Sequence, residues 1–244
     1  MNTIKTGCCG FPVAQGKYYK TLNTIEINQS FFQPPELKTA HKWAGQAPKG
    51  FEFIIKAWQL ITHPGINSSY KRLTEKIPES KRKYYGNFAQ TEEVMEAWRR
   101  TFEFGSILGA KIYLFQTPGS FRPNVDNITN LYKFFKAINH GKLTFVWENK
   151  ANWPHDTVIK ICNDLNLVHC VDPFKEKPLA GHIRYYRLHG DYQGKNIVFD
   201  YKYTLKELDS ILKFADKPLN YFLFDNSTMW VDCLQFQNIL KKSL

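Results

Sequence analysis

Glu26, Glu148 and the pair Arg187 and His189 lie far apart in the chain, but their types are those used in proton transfer or metal binding. Two carboxylates beside a histidine can take up and release protons or hold a divalent cation. An arginine among them suits a phosphate or carboxylate group. Lys56 joins the set as a second cation able to stabilise charge developing on phosphate. Asn28, His63, Gln116 and Asn226 are candidate substrate contacts. Glu26, His63, Glu148, Asp172 and His189 are the candidate metal donors, with Asp225 a further acid at a strand end. No His-x-His or His-Glu-x-x-His spacing supports a metal directly, so the cofactor stays open with a divalent metal as the candidate. The competing explanation is an internal ion-pair network that closes one end of the fold, but a bundle of buried charges is an expensive filling.

Strand parity groups these residues. Apolar runs at 4–9, 23–28, 51–57, 111–116, 143–148, 167–171, 183–189 and 219–224 read as strands. Helical patterns at 35–46, 91–108, 124–140, 154–166, 204–215 and 228–241 fall between or after them. Side chains alternate along a strand. With Leu143, Phe145 and Trp147 on the helix side, Thr144, Val146 and Glu148 face the other way. The same alternation places Glu26 and Asn28 opposite Ile25 and Ile27, and puts Ile183, Tyr185, Arg187 and His189 on one side. Strand–helix alternation with eight strands predicts one α/β domain over 1–244, a TIM-barrel-like (β/α)8 fold. The barrel is expected to be irregular, with weak or missing helices after strands one and six. Only 15–22 separates the first two strands, and 172–182 carries Pro173, Pro178 and Gly181. The open doubly wound sheet is disfavoured, because Gly7-Cys8-Cys9-Gly10 is a poor phosphate loop.

The longest connection, 62–90, leaves the end of the third strand and should hang over the catalytic face of such a barrel. Lys71, Arg72, Lys76, Lys81, Arg82 and Lys83 outnumber Glu75 and Glu79 there, with Tyr70, Tyr84, Tyr85 and Phe88 interleaved. Lys71, Arg72, Lys81, Arg82 and Tyr84 are candidate substrate contacts. The net charge of +11 favours phosphate-rich partners such as DNA or RNA, against the plain reading that surface lysines keep the protein in solution. Five irregularly spaced cysteines suggest free thiols rather than a disulfide framework or a zinc ribbon. With no apolar leader or membrane-length run, the expectation is a cytoplasmic protein with no membrane association. No protein partner is indicated. His41, His140 and His155 read as solvated, and His169 as a core residue.

Several of these segments resemble one family. Asn23-Thr24-Ile25-Glu26-Ile27-Asn28-Gln29-Ser30-Phe31-Phe32 is similar to its "NTVEINSTFY" block, and Lys56 with Ile61-Thr62-His63 to its "K-x-x-x-x-I-T-H" block. Gln116-Thr117-Pro118-Gly119-Ser120-Phe121 resembles "QLPPSF", Arg187-Leu188-His189-Gly190 matches "RLHG", and Phe224-Asp225-Asn226 resembles "FNN". The chain is thereby identified as an archaeal-type member of the YecE-like family, domain of unknown function 72. The resemblance implies a TIM-barrel-like fold and carries Glu26, Asn28, Lys56, His63, Gln116, Glu148, Arg187, His189 and Asn226 as motif positions. It implies no reaction. Cys8-Cys9-Gly10-Phe11 stands where Thr-Ser-Gly-Trp is common, and Glu148-Asn149-Lys150 lacks the family's Arg-His pair. Three functions follow. The favoured one is an enzyme on a phosphate-bearing substrate, specifically a phosphodiester hydrolase on nucleic acid. The alternatives are a sugar or organic-acid isomerase or lyase, and a non-catalytic nucleic-acid-binding protein.

Overall fold

Near-continuous apolar runs require a sheet buried on both faces, and the structure, a computed structural model describing residues 2–138, 141–194 and 196–243, supplies one. Strands β1 (Thr3–Cys8), β2 (Thr24–Ile27), β3 (Glu52–Lys56), β4 (Ile112–Thr117), β5 (Thr144–Asn149), β6 (Leu167–Val171), β7 (Arg184–Leu188) and β10 (Leu219–Phe224) form one parallel sheet. Its order is β1-β10-β7-β6-β5-β4-β3-β2. The chain is a TIM barrel of the expected (β/α)8 class. Its sheet is nearly closed: β1 and β2 meet at a single bridge, Cys9 to Glu26, where the Gly10 amide donates to the Glu26 carbonyl at 2.8 Å.

Below that bridge a side chain fills the seam. The Cys8 amide donates to the Tyr18 hydroxyl at 2.9 Å, and that hydroxyl donates to the Thr24 carbonyl at 2.9 Å. Glycine is required at position 7, because a Cβ there would lie 2.5 Å from the Thr24 carbonyl oxygen.

Two cores result from the alternation. Ile25, Ile27, Phe115, Phe145, Trp147 and Phe222 pack outward against the helices. Ile54, Leu114, Val146, Val168, Tyr185 and Leu223 fill the barrel. Lys5, Glu52 and Tyr221 plug its lower end, where the Tyr221 hydroxyl donates to Glu52 at 2.9 Å.

The helices are α1 (Gln15–Thr21), α2 (Gln29–Phe32), α3 (Leu37–Gln46), α4 (Gln59–Thr62), α5 (Glu79–Arg82), α6 (Glu92–Ile107), α7 (Val125–Ala137), α8 (His155–Leu165), α9 (Leu205–Ser210) and α10 (Met229–Ser243). Caps set several starts. The Thr91 side chain accepts from the Val94 amide, Asn124 from Asn127, and Thr204 forms a capping box with Glu207. The slot after β1 holds only the short α1, and no helix lies between β6 and β7 among the described residues.

Several sequence expectations shift. The helix expected over 204–215 divides into α9 and a 3-10 turn at Leu212–Phe214. The helix expected over 124–140 ends at Ala137 within the described residues, and His140 lies outside them. The short helices α2, α4 and α5 were not anticipated. Nor was the hairpin of β8 (Asp191–Gln193) and β9 (Asn196–Val198), which rises beside the strand ends. All described cysteines are free thiols and buried. No described helix is long and apolar enough to cross a membrane.

Candidate active site

The C-terminal ends of β2, β3, β5 and β7 deliver Glu26, Lys56, Glu148, Arg187 and His189 to one end of the barrel. Arg187 is 0% exposed and forms the hub. Its Nη2 lies 3.0 Å from Glu26 Oε1 and 2.7 Å from Asp225 Oδ2, while Nη1 lies 2.8 Å from Glu148 Oε2. The Tyr185 hydroxyl donates to Glu26 Oε2 at 2.7 Å, and Gln116 Nε2 to Glu148 Oε2 at 2.7 Å. Burial works against the guanidinium charge, but Asp225, Glu26 and Glu148 outweigh it and keep Arg187 charged.

Above this hub lies an open cavity of about 1530 Å³. Glu148, His189, Lys56, His63, Asn28, Gln116, Asp172, Asp225 and Asn226 line it; Glu26 and Arg187 lie beneath its floor. The two members of the expected set that do not reach the cavity therefore position the ones that do.

His189 is the most constrained of them. Its Nδ1 lies 3.0 Å from the Arg187 carbonyl, which can only accept, so Nδ1 carries a hydrogen. Nε2 stands 3.1 Å from Glu148 Oε1, 3.1 Å from Arg187 Nη1 and 3.2 Å from Lys150 Nζ. It can therefore hold a proton toward Glu148 or offer a lone pair to Lys150. Burial and Lys150 push the imidazole toward neutrality, but Glu148 and the hydrogen bonds to Asp172 and Glu148 prevail, so its pKa is raised. Asp172 supports the ring from behind: its Oδ2 lies 3.5 Å from Nδ1 and accepts from the His189 amide and the Tyr192 hydroxyl. Burial alone would raise the Glu148 pKa, but Lys150, Arg187 and His189 together hold it well below the usual carboxylate range.

The opposite wall is different. Lys56 is 5% exposed and its Nζ sits 4.5 Å from the centroid of the Phe31 ring. Burial and Arg187 lower its pKa, with Asp225, Glu26 and Glu148 opposing. His63, edge-on to Phe31 at 4.9 Å, is held neutral by burial and by Lys56, its pKa pushed down to about 3. Asn28 donates to Asp225 Oδ1 at 3.2 Å.

Other expected residues are placed otherwise. Asn226 spends its amide on Asp232 (2.6 Å), the Tyr201 carbonyl and Thr228, which ties the start of α10 to the preceding loop. Of the candidate contacts Lys71, Arg72, Lys81, Arg82 and Tyr84 in the basic loop, only Arg72 reaches the cavity; the other four are exposed outside it. The reason is that Ser68–Arg72 coils as a 3-10 turn and α5 turns its cations to solvent.

The anticipated metal donors do not fit a metal. Glu26 and Glu148 converge on Arg187 rather than on a shared point, and His63 stands on the other wall beside Lys56. Among the described residues, no three His, Cys, Asp or Glu side chains form a metal-holding group.

Sequence reasoning missed Tyr185, Lys150 and the hub role of Asp225. Parity places Tyr185 on the side of Arg187 without giving it a role, and it would likewise place Asp225 with Leu223. Lys150 follows the end of β5, beyond the reach of strand alternation. Its ammonium pairs with Glu148 at 2.5 Å in the segment where the family's Arg-His pair is missing.

Comparison with known proteins agrees with this architecture. The sequence profile of the family described as "protein of unknown function DUF72" matches residues 16–241. The chain belongs to the DUF72 family. It is similar to a DUF72 family protein of Enterococcus faecalis (18% identity, TM-score 0.72, covering 99% of this chain and 98% of that one). It also resembles a DUF72 family protein of Thermotoga maritima (17% identity, TM-score 0.66, 98% and 100% covered). Endonuclease IV of Thermus thermophilus shares the fold at 10% identity (TM-score 0.60, 98% and 99% covered). No curated protein matches the sequence.

Proposed function

We propose that this DUF72 protein is an enzyme acting on a phosphate-bearing substrate in the cavity at the C-terminal end of the barrel, with hydrolysis of a nucleic-acid phosphodiester as the specific reaction. The observation that carries this reading is His189, buried at the cavity floor with Nε2 between Glu148 and Lys150. That atom can exchange a proton, Glu148 holds the imidazolium when it forms, and Lys150 faces charge developing on a phosphoryl oxygen. Water attacks phosphorus and gives its proton to His189; the P–O bond to the leaving alcohol breaks, and the leaving oxygen takes a proton from the imidazolium. Glu26, Arg187 and Asp225 fix Glu148 from below. Support for nucleic acid comes from the net charge of +11, from Arg72, Arg122 and Lys175 around the cavity, and from the endonuclease among proteins of this fold.

The test is turnover of labelled single- and double-stranded DNA and RNA, with wild type beside His189→Gln and Glu148→Gln. Both variants should fold as wild type and lose about 10²–10⁴-fold in rate, as expected when a proton carrier or its partner is removed. Cleavage that survives both substitutions would overturn the assignment. Binding of nucleic acid without any cleavage would leave a binding protein instead.

A further inference from the structure

Three of the carboxylates that line the cavity are committed to protein partners. Glu148 holds Arg187 and Lys150, Asp225 holds Arg187 and Asn28, and Asp172 accepts from Tyr192 and the His189 amide. On the β2–β3 side the ionisable side chains that line the cavity are Lys56, His63 and Arg72, with no acid among them. Lys56 is more than nine-tenths buried and lines the cavity, yet no hydrogen bond or ion pair to its ammonium is present among the described residues; the face of Phe31 lies 4.5 Å from it. The Arg72 guanidinium lies 3.4 Å from the centroid of Phe32, whose ring meets Phe31 at 5.0 Å, and it too has no carboxylate partner among the described residues. His63 stands edge-on to the same Phe31, with Nδ1 engaged by the Thr62 hydroxyl at 2.8 Å, so Nε2 is the ring atom left to face the cavity. Two cations and a neutral imidazole are thus gathered around one pair of aromatic rings.

A buried ammonium with no carboxylate in contact with it is costly. Packing does not require it here, since an apolar chain of similar length would fill the space beside Phe31. We infer that the Lys56–His63–Arg72 wall is a docking subsite for a terminal, dianionic phosphate of the substrate, separate from the reacting centre at His189. Two cations that no carboxylate contacts match a dianion, and phosphomonoesters carry close to two negative charges at neutral pH. A diester or carboxylate, with one charge, would leave one cation unmatched. The inference deepens the proposed function: the substrate carries a phosphate end that is held on one wall while the reaction proceeds at the other.

The experiment is calorimetric titration of the intact protein with inorganic phosphate at pH 7.5, alongside dimethyl phosphate and acetate as monoanions. Phosphate should bind, and both monoanions should bind at least about tenfold more weakly. Lys56→Met should lower phosphate affinity by at least about tenfold, the usual consequence of removing one member of a desolvated charge pair. Arg72→Gln changes an exposed residue that will not compromise folding, and should lower it several-fold. Glu148→Gln should retain phosphate binding while losing turnover, so a failed reaction assignment is distinguishable from a failed subsite. The inference is overturned if dimethyl phosphate binds as well as phosphate, if Glu148→Gln loses as much affinity as Lys56→Met, or if Arg72→Gln loses no more than the exposed neighbour control Lys71→Gln.

Discussion

His169 shows how a single side chain reports on folding as well as on the site. It is 1% exposed, donates from Nε2 to Asn149 Oδ1 at 2.8 Å, and accepts at Nδ1 from the Leu179 amide at 3.2 Å. Both nitrogens are committed to the neutral ring, and a second proton would face an N–H. Burial, with a smaller contribution from His155, pushes the pKa down to about 4. The unfolded value is higher, so the native state binds fewer protons between the two. The stability that depends on neutral His169 is complete above about pH 6.5 and falls as pH drops toward about 4, by roughly 1.4 kcal/mol per pH unit. His63 adds a second such group, extending the loss toward about pH 3. Urea unfolding from pH 7.5 to 4.5 should show this slope, and His169→Gln should flatten it by one proton. An unchanged slope in the variant would mean that the ring does not titrate with folding.

At the scale of elements, the barrel closes through one tyrosine. Where β1 and β2 share only the Cys9–Glu26 bridge, the Tyr18 hydroxyl accepts from one strand and donates to the other. Tyr18→Phe keeps the ring contacts with Phe11 and Phe51 but leaves the Cys8 amide and the Thr24 carbonyl without that partner in the core. It should destabilise the protein by on the order of 1–3 kcal/mol, the cost of stranding a buried polar group. Faster hydrogen exchange at the Cys8 amide would locate the effect at the seam. Exchange unchanged from wild type would show that the hydroxyl does not hold the barrel shut. Gly190 is the other element-level constraint. It has φ +112° and a Cβ there would lie 2.4 Å from the Val198 carbonyl oxygen, so only glycine lets the hairpin turn back beside His189.

At the scale of the whole molecule, the net charge of +11 is spread along the chain rather than gathered in a basic tail. If the partner is a nucleic acid, affinity should fall steeply with salt. A slope of log affinity against log salt steeper than about −3 corresponds to four or more displaced phosphate counterions, and Arg72→Gln should reduce its magnitude by about one. Absence of binding at low salt would remove nucleic acid from the proposal and leave small phosphate esters.

The sequence by itself determined the barrel class, because two periodicities, of strand and of helix, leave few ways to bury both faces of a sheet. It also determined which ends of the strands carry charge, because Glu26, Glu148, Arg187 and His189 sit at inward positions that alternation alone identifies. Tertiary structure decided their division of labour. Parity shows which side a residue faces but not how deep it lies, so Glu26 and Arg187 could not be told from Glu148 and His189 until the floor of the cavity was in place. Partnership is likewise a matter of distance across strands. Asp225 reaches Arg187 from another strand, Lys150 reaches back from beyond its own, and Lys56 is left alone because every neighbouring acid is engaged elsewhere.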